Sequence, residues 1–275
     1  MVSIPETVDI CGPNDGGILF KLPPEVRDEI YRYLVKGRFV ITVSPSWTFV
    51  AKFNATSDPG FDVDGADFAI LRTSKAVSRE AIKVLHTEST FESWLDFDEF
   101  GPHTQHAKGV TDRMMKLKYH IVGLGGAFQT QFDSEGLSRF YMENMKAICE
   151  STIEHFTGTE ITRHSMHIIL HSTTELDNAF TSPVFQSLKR LGGFRGVRVE
   201  FRSTLPILKR NEPQIASDHM NEVMRVARAH LEPALGPATP GYFSSPGEYD
   251  YYGYLTFRPN QYLVKKFEAG GKEEE

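Results

Sequence analysis

Cysteine is nearly missing: Cys11 and Cys149 are the only two in 275 residues. So few thiols, so far apart, rule out a disulfide scaffold and fit a reducing compartment. No apolar run approaches the roughly 18 residues of a membrane span. The first twenty residues hold neither Lys nor Arg, nor an apolar stretch of signal-peptide length. The expectation is a soluble intracellular protein, cytoplasmic or nuclear, with no membrane partner. A long basic run is also absent, and with a net charge of −6 and a pI near 5.9 the chain has no overall field for a phosphate backbone. Nucleic acid is therefore not expected as a partner. Contact through Arg195, Arg198, Arg202, Lys209 and Arg210 would need one shared surface, and strand alternation aligns only Arg198 and Arg202, with Glu200 between them.

Catalytic signatures are scarce too. There is no Gly-x-Ser-x-Gly elbow and no Cys-x-x-Cys pair. The glycine turn "IVGLGGAF" follows a candidate strand, but a dinucleotide fingerprint counted from Gly123 meets Phe128 where its third glycine belongs. Gly123–Gly126 thus supports a nucleotide-dependent enzyme only as a minor alternative. His164, His167 and His171 lie close in sequence, but on a strand rising about 3.3 Å per residue His167 and His171 stand about 13 Å apart, too far for one ion. They are expected to face solvent on a half-buried sheet. No enzyme activity, cofactor or metal site is expected.

What is present is enough apolar material for a core: 40% of the residues are hydrophobic. Residues 1–17, rich in Gly and Pro, read as a flexible lead-in. In "LFKLPPEVRDEIYRYL", Pro24 suits a first helical turn and Glu25 and Asp28 suit the positive end of the dipole, which predicts a helix from about Pro24 to Lys36. Its apolar positions Val26, Ile30, Tyr33 and Leu34 recur at helical spacing, so the helix must dock on something.

"RFVITVS" and "WTFVAKF" read as a hairpin around Pro45 and Ser46, followed by a loop. A helix over Phe68–His86 sets Ile70, Val77, Ala81, Val84 and Leu85 on one face, ready to pack on the first helix. "STFESWLDF" then alternates as a strand, with Phe91, Leu95 and Phe97 on one side.

Past a linker at 98–110, strand and helix patterns alternate: "MMKLKYHIV", a long helix over Ser134–Phe156, "MHIIL", a short helix opened by Ser182-Pro183, "GVRVEF", a helix over Ile215–Leu231 and "YLTFRP". The stretch "EPALGPATPGYFSSPGEYDYYG" reads as loop, and its cluster Tyr249, Tyr251, Tyr252 and Tyr254 as a cover for the sheet end. The order implies an α+β or α/β fold: an N-terminal helix pair with an inserted hairpin, then a mixed sheet backed by helices, parts of it parallel. The divisions are a lead-in at 1–17, a module at 18–97, the linker at 98–110, an α/β region at 111–262 and a frayed tail at 263–275.

"LPPEVRDEIYRYLV", together with "LRTSKAVSREAIKVLHTESTF", resembles the fungal F-box-like proteins over about residues 18–97. The resemblance implies a helical module that docks on the adaptor subunit of a cullin-RING ubiquitin ligase while the rest of the chain receives a protein substrate. Leu22, Pro23, Glu25, Val26, Ile30 and Leu34 match the first half of the motif and become the expected adaptor-binding residues. The chain departs from an ordinary F-box in two respects: more than thirty residues separate the two helices, and "TSKAV" lacks the tryptophan usual there. An alternative therefore stands beside it, in which the helices have merged into one larger α/β fold with a different binding role.

Overall fold

A computed structural model of the chain describes residues 17–44, 47–53, 68–96, 112–122, 161–172, 183–203, 213–244 and 251–261, together with Glu143, Lys146, Cys149, Ile153 and Phe156. A short 3₁₀ turn, Ile18–Lys21, leads into α1, Pro24–Val35, with Pro23 at the cap position, Pro24 opening the first turn and Glu25 in it. Strands β1, Arg38–Ser44, and β2, Trp47–Phe53, pair antiparallel from Arg38↔Phe53 to Ser44↔Trp47. The second helix begins later than its apolar pattern predicts. Phe68–Arg72 is a separate 3₁₀ turn, and α2 spans Lys75–Glu88 because the Ser74 side chain accepts a hydrogen bond from the Val77 amide and so caps it.

The remaining elements are β3 (Thr90–Asp96), β4 (Lys116–Val122), β5 (Arg163–Ser172), α3 (Pro183–Leu188), β6 (Phe194–Ser203), α4 (Pro213–Leu235), β7 (Thr239–Ser244) and β8 (Tyr251–Phe257). Between β4 and β5, Glu143, Lys146 and Cys149 are helical, and Cys149, Ile153 and Phe156 are buried. The other residues of the helix expected over Ser134–Phe156 lie outside the described residues, as do the glycine turn Gly123–Gly126 and the linker 98–110. Strand β7 corrects the sequence reading, which treats that stretch as loop. Pro240 and Gly241 are poor strand formers, and pairing to β8 from Thr239↔Thr256 to Ser244↔Tyr251 overrides their preference.

One sheet takes all eight strands found among the described residues, in the order β2-β1-β3-β4-β5-β6-β8-β7. The five strands β1, β3, β4, β5 and β6 are mutually parallel, and an antiparallel partner or hairpin closes each edge. The mixed sheet backed by helices is thus present, and it is continuous: β3 of the 18–97 segment pairs with β4 of the 111–262 segment from Thr90↔Lys116 to Asp96↔Val122. Successive parallel strands step in one direction across the sheet, and right-handed crossovers then carry the connecting helices over the same face.

That face is the core. Phe91 and Leu95, Leu117, Tyr119 and Ile121, Met166, Ile168 and Leu170, Val197, Val199 and Phe201, and Leu255 and Phe257 alternate inward and join α1, α2, α3 and α4 in one buried cluster. Helix α4 lies so close to β8 that a Cβ on Gly253 would come within 2.6 Å of the Met224 sulfur and 2.9 Å of the Met220 sulfur. The helix stops at Gly236, whose positive φ of 86° suits a residue without a side chain, and the Glu232 carboxylate accepts from the Ala238 amide just beyond it. No described helix is long and apolar enough to cross a membrane.

Candidate functional site

Two surfaces carry chemistry that the core does not consume. The first is the outer side of α1. Tyr31 and Val35 turn inward and are buried, and the Tyr31 hydroxyl donates to Glu80 Oε2 of α2 at 2.9 Å. Arg27 clamps the same carboxylate with two hydrogen bonds of 2.9 and 3.0 Å and also donates to the Leu22 carbonyl. The Arg27 hydrogen bonds hold the Glu80 carboxyl below its usual range, and burial, with Glu80 adding to it, pushes the Tyr31 hydroxyl up to about 12. These ties fix the rotation of the helix about its axis.

With Tyr31 and Val35 inside, Val26 is 44% exposed, Tyr33 87% and Leu34 37%. Pro23 and Glu25 are exposed as well, and Leu22 and Ile30 are half-buried. Of the six expected adaptor-binding residues, Pro23, Glu25, Val26 and Leu34 are thus exposed and Leu22 and Ile30 border them half-buried, and Tyr33 is exposed as well. The inward anchors Tyr31 and Val35 are absent from the stripe predicted by sequence. A wide apolar arc admits two choices of inner face, and the Glu80 hydroxyl acceptor, supplied from a distant helix, decides between them. On α2, Val77, Ala81, Val84 and Leu85 are buried and Ile70 packs against the same core, as the spacing predicts.

The second surface is the sheet face opposite the core. Strand alternation and register place Glu92, Lys118, His167, Arg198 and Thr256 in one row across β3, β4, β5, β6 and β8. The next row is Trp94, His120, Ile169, Glu200 and Tyr254, and a third holds His171, Arg202 and Tyr252. Diagonal neighbours in such rows come within reach of long side chains.

His120 Nδ1 lies 3.0 Å from His171 Nε2, and the two rings are inclined by only 23°, so the hydrogen-bonded imidazoles form one plate. The Trp94 indole lies across it, 4.0 Å from the His120 ring and 5.7 Å from the His171 ring. At the far side of His120, Glu92 Oε1 approaches Nε2 to 2.7 Å, off the axis of an aligned hydrogen bond. The Glu92 side chain is fully buried and also meets Lys118 at 3.4 Å. Burial depresses both imidazoles: that of His120 against the opposing pull of Glu92, that of His171 to about 4 with the neighbouring His120 adding to it. Both rings are neutral at pH 7.

Beside this plate, Glu200 gathers three partners: His167 Nε2 at 2.9 Å, Arg202 Nε at 2.8 Å and Arg198 Nη2 at 3.6 Å. Burial alone would raise its carboxyl, but the hydrogen bonds from His167 and Arg202 outweigh it and hold the group at about 2. Each arginine stacks on a tyrosine of β8, Arg198 3.7 Å above the Tyr254 ring and Arg202 5.1 Å from that of Tyr252. The Tyr254 ring covers Gly241 so closely that a Cβ there would sit 2.1 Å from it. Beyond Tyr254 opens a cleft of ≈ 470 Å³ lined by Leu235, Pro240, Thr256, Arg258 and Gln261.

Three sequence expectations meet this geometry differently. Arg198, Glu200 and Arg202 share a face as alternation requires. His167 and His171 share it too, but they do not simply face solvent, because Glu200 holds one and His120 the other. Tyr252 and Tyr254 stack on arginines of the sheet face, whereas sequence suggests a cover over the sheet end; Tyr249 and the Tyr251 side chain lie outside the described residues. The imidazole pair escapes sequence reasoning because its members are 51 residues apart. Among the described residues no group of three or more His, Cys, Asp or Glu side chains is placed to hold a metal ion. No protein-family model matches the chain, and no curated protein or solved structure does so either.

Proposed function

We propose that this chain is a protein-interaction module that docks the adaptor subunit of a cullin-RING ubiquitin ligase through the outer side of α1 and presents a protein substrate to that ligase. One observation carries the reading: Val26, Ile30 and Leu34 lie on the accessible side of α1 while Tyr31 and Val35 anchor the helix from within. An apolar helix face whose removal leaves the core untouched is what helix-mediated docking requires. A stable contact would bury about 800 Å² on each partner, more than α1 alone offers, so the neighbouring exposed Ile18 belongs to the same surface.

A second reading has its own support. The continuous pairing of β3 with β4 builds the helix pair into the same sheet as the rest of the chain, which suits a merged fold with another binding partner. A pull-down with a purified fungal adaptor subunit separates the two. Binding by the wild type that is lost in Ile30→Asp, with an unchanged circular-dichroism spectrum, supports the ligase reading. Failure of the folded wild type to bind leaves the merged-fold reading in its place.

A further inference from the structure

We propose that the polar face of the sheet, at the carboxyl ends of β3 to β6, binds a nucleoside phosphate, with its heterocycle stacked on the outer face of the Trp94 indole and its phosphate held by Arg202. Position is the first reason. Trp94 and His120 are third from the ends of β3 and β4, and His171 and Arg202 second from the ends of β5 and β6. Four successive parallel strands thus deliver one residue each near the carboxyl end of the sheet, the end that faces ligands in open α/β folds, although these strands step in one direction and form no topological switch point.

The indole is the second reason. One of its faces covers the His120–His171 plate, yet Trp94 is still 53% exposed, so the opposite face is open to solvent. A large apolar ring held flat on a polar sheet is a stacking platform, since every heterocyclic base has a π-face to offer it. The imidazole plate beneath fixes the indole's tilt and keeps it from collapsing onto Ile169.

Charge selects the anion. Among the described side chains of these rows, three cations, Lys118, Arg198 and Arg202, stand against two carboxylates, Glu92 and Glu200. Arg202 spends only Nε on Glu200, and among the described residues its two terminal amino groups have no acceptor, while its side chain is 36% exposed. A guanidinium anchored at one nitrogen and open at the other two is preorganised for a phosphate.

The placement permits the same ligand. Trp94 on β3 and Arg202 on β6 are three inter-strand steps apart, about 14 Å at the backbone, and the indole leans over His120 and His171 toward Arg202, the register partner of His171. A nucleoside phosphate offers a planar heterocycle to the one and an anion to the other. The site uses no residue of the Gly123–Gly126 turn or of α1, so it stands or falls independently of adaptor docking.

The test uses the full chain with Trp47→Phe, which leaves Trp94 as the sole tryptophan reporter. Adenosine 5′-monophosphate should change Trp94 fluorescence saturably, with a Kd below about 1 mM. Adenosine and inorganic phosphate, each carrying half of the ligand, should bind at least about tenfold more weakly. Arg202→Gln should weaken the nucleotide by about tenfold or more without altering the circular-dichroism spectrum, and Arg202→Lys, which retains charge but loses the fork, should fall between the two. Should Arg202→Gln fail to fold, Arg202→Lys alone decides, through nucleotide affinity relative to adenosine. No saturable change with the nucleotide, inorganic phosphate as tight as the nucleotide, or affinity unaffected in a folded Arg202 variant would each overturn the assignment.

Discussion

The outer side of α1 and the polar face of the sheet are both accessible, and they are built in opposite ways. On α1, twelve consecutive residues divide their side chains between a buried pair, Tyr31 and Val35, and an exposed apolar set, so the surface is a by-product of how one helix is anchored. On the sheet, side chains from four strands form two adjoining groups, Glu92 with His120 and His171, and Glu200 with His167, Arg198 and Arg202, each held by charge and hydrogen bonds. The helix surface can be altered with little effect on the fold. Changes to the sheet surface cost more stability, because its exposed groups are also the partners of its buried ones.

The sharpest way to break this contrast is to attack the anchor. Tyr31→Ala should destabilise the protein by about 3–5 kcal/mol in urea titration, since it empties a fully buried aromatic site and removes a hydroxyl from Glu80. If the loss is under about 1 kcal/mol, α1 is not fixed from within and the assignment of its outer side fails.

On the sheet face, Glu200→Gln should lower stability by about 2 kcal/mol, because it removes the charge that compensates Arg198 and Arg202 and weakens the contact with His167. The same network should respond to pH. The folded-state pKa of His171 lies near 4, below the ordinary 6.5, so the unfolded chain takes up its proton first. The neutral ring's contribution is complete above pH 6.5 and is lost as pH falls toward 4. Thermal melts over that window should show a loss of about 1–2 kcal/mol that is smaller in His171→Gln. Glu200 adds a further loss with the same sign, as pH falls from 4.5 toward 2. Equal slopes in wild type and His171→Gln would remove His171 from the network.

The smallest effect belongs to the helix surface. Ile30→Asp should change stability by no more than about 1 kcal/mol, while abolishing adaptor binding. A large loss of stability would place Ile30 in the core and make the two surfaces alike.

Sequence legibility follows the same division. Alternation marks the inward residues of β3, β4 and β6, and helical spacing marks Val77, Ala81, Val84 and Leu85, because these periods reflect contact with a single apolar layer. Strand β7 is hidden by Pro240 and Gly241, which become a strand only when β8 supplies the hydrogen bonds. The late start of α2 is legible after the fact in Ser74, a capping residue that an apolar pattern alone does not weigh.

What the sequence determined by itself is therefore local: which segments become helix or strand, and which of their sides is apolar. The choice of Tyr31 and Val35 over Val26 and Leu34 as the inner side of α1 needed Glu80, 49 residues from Tyr31, and the pairing of His120 with His171 needed the register of two parallel strands. Periodicity encodes a preference for burial. Which partner satisfies a hydroxyl, an imidazole or a carboxylate depends on distances that exist only once the strands and helices are packed.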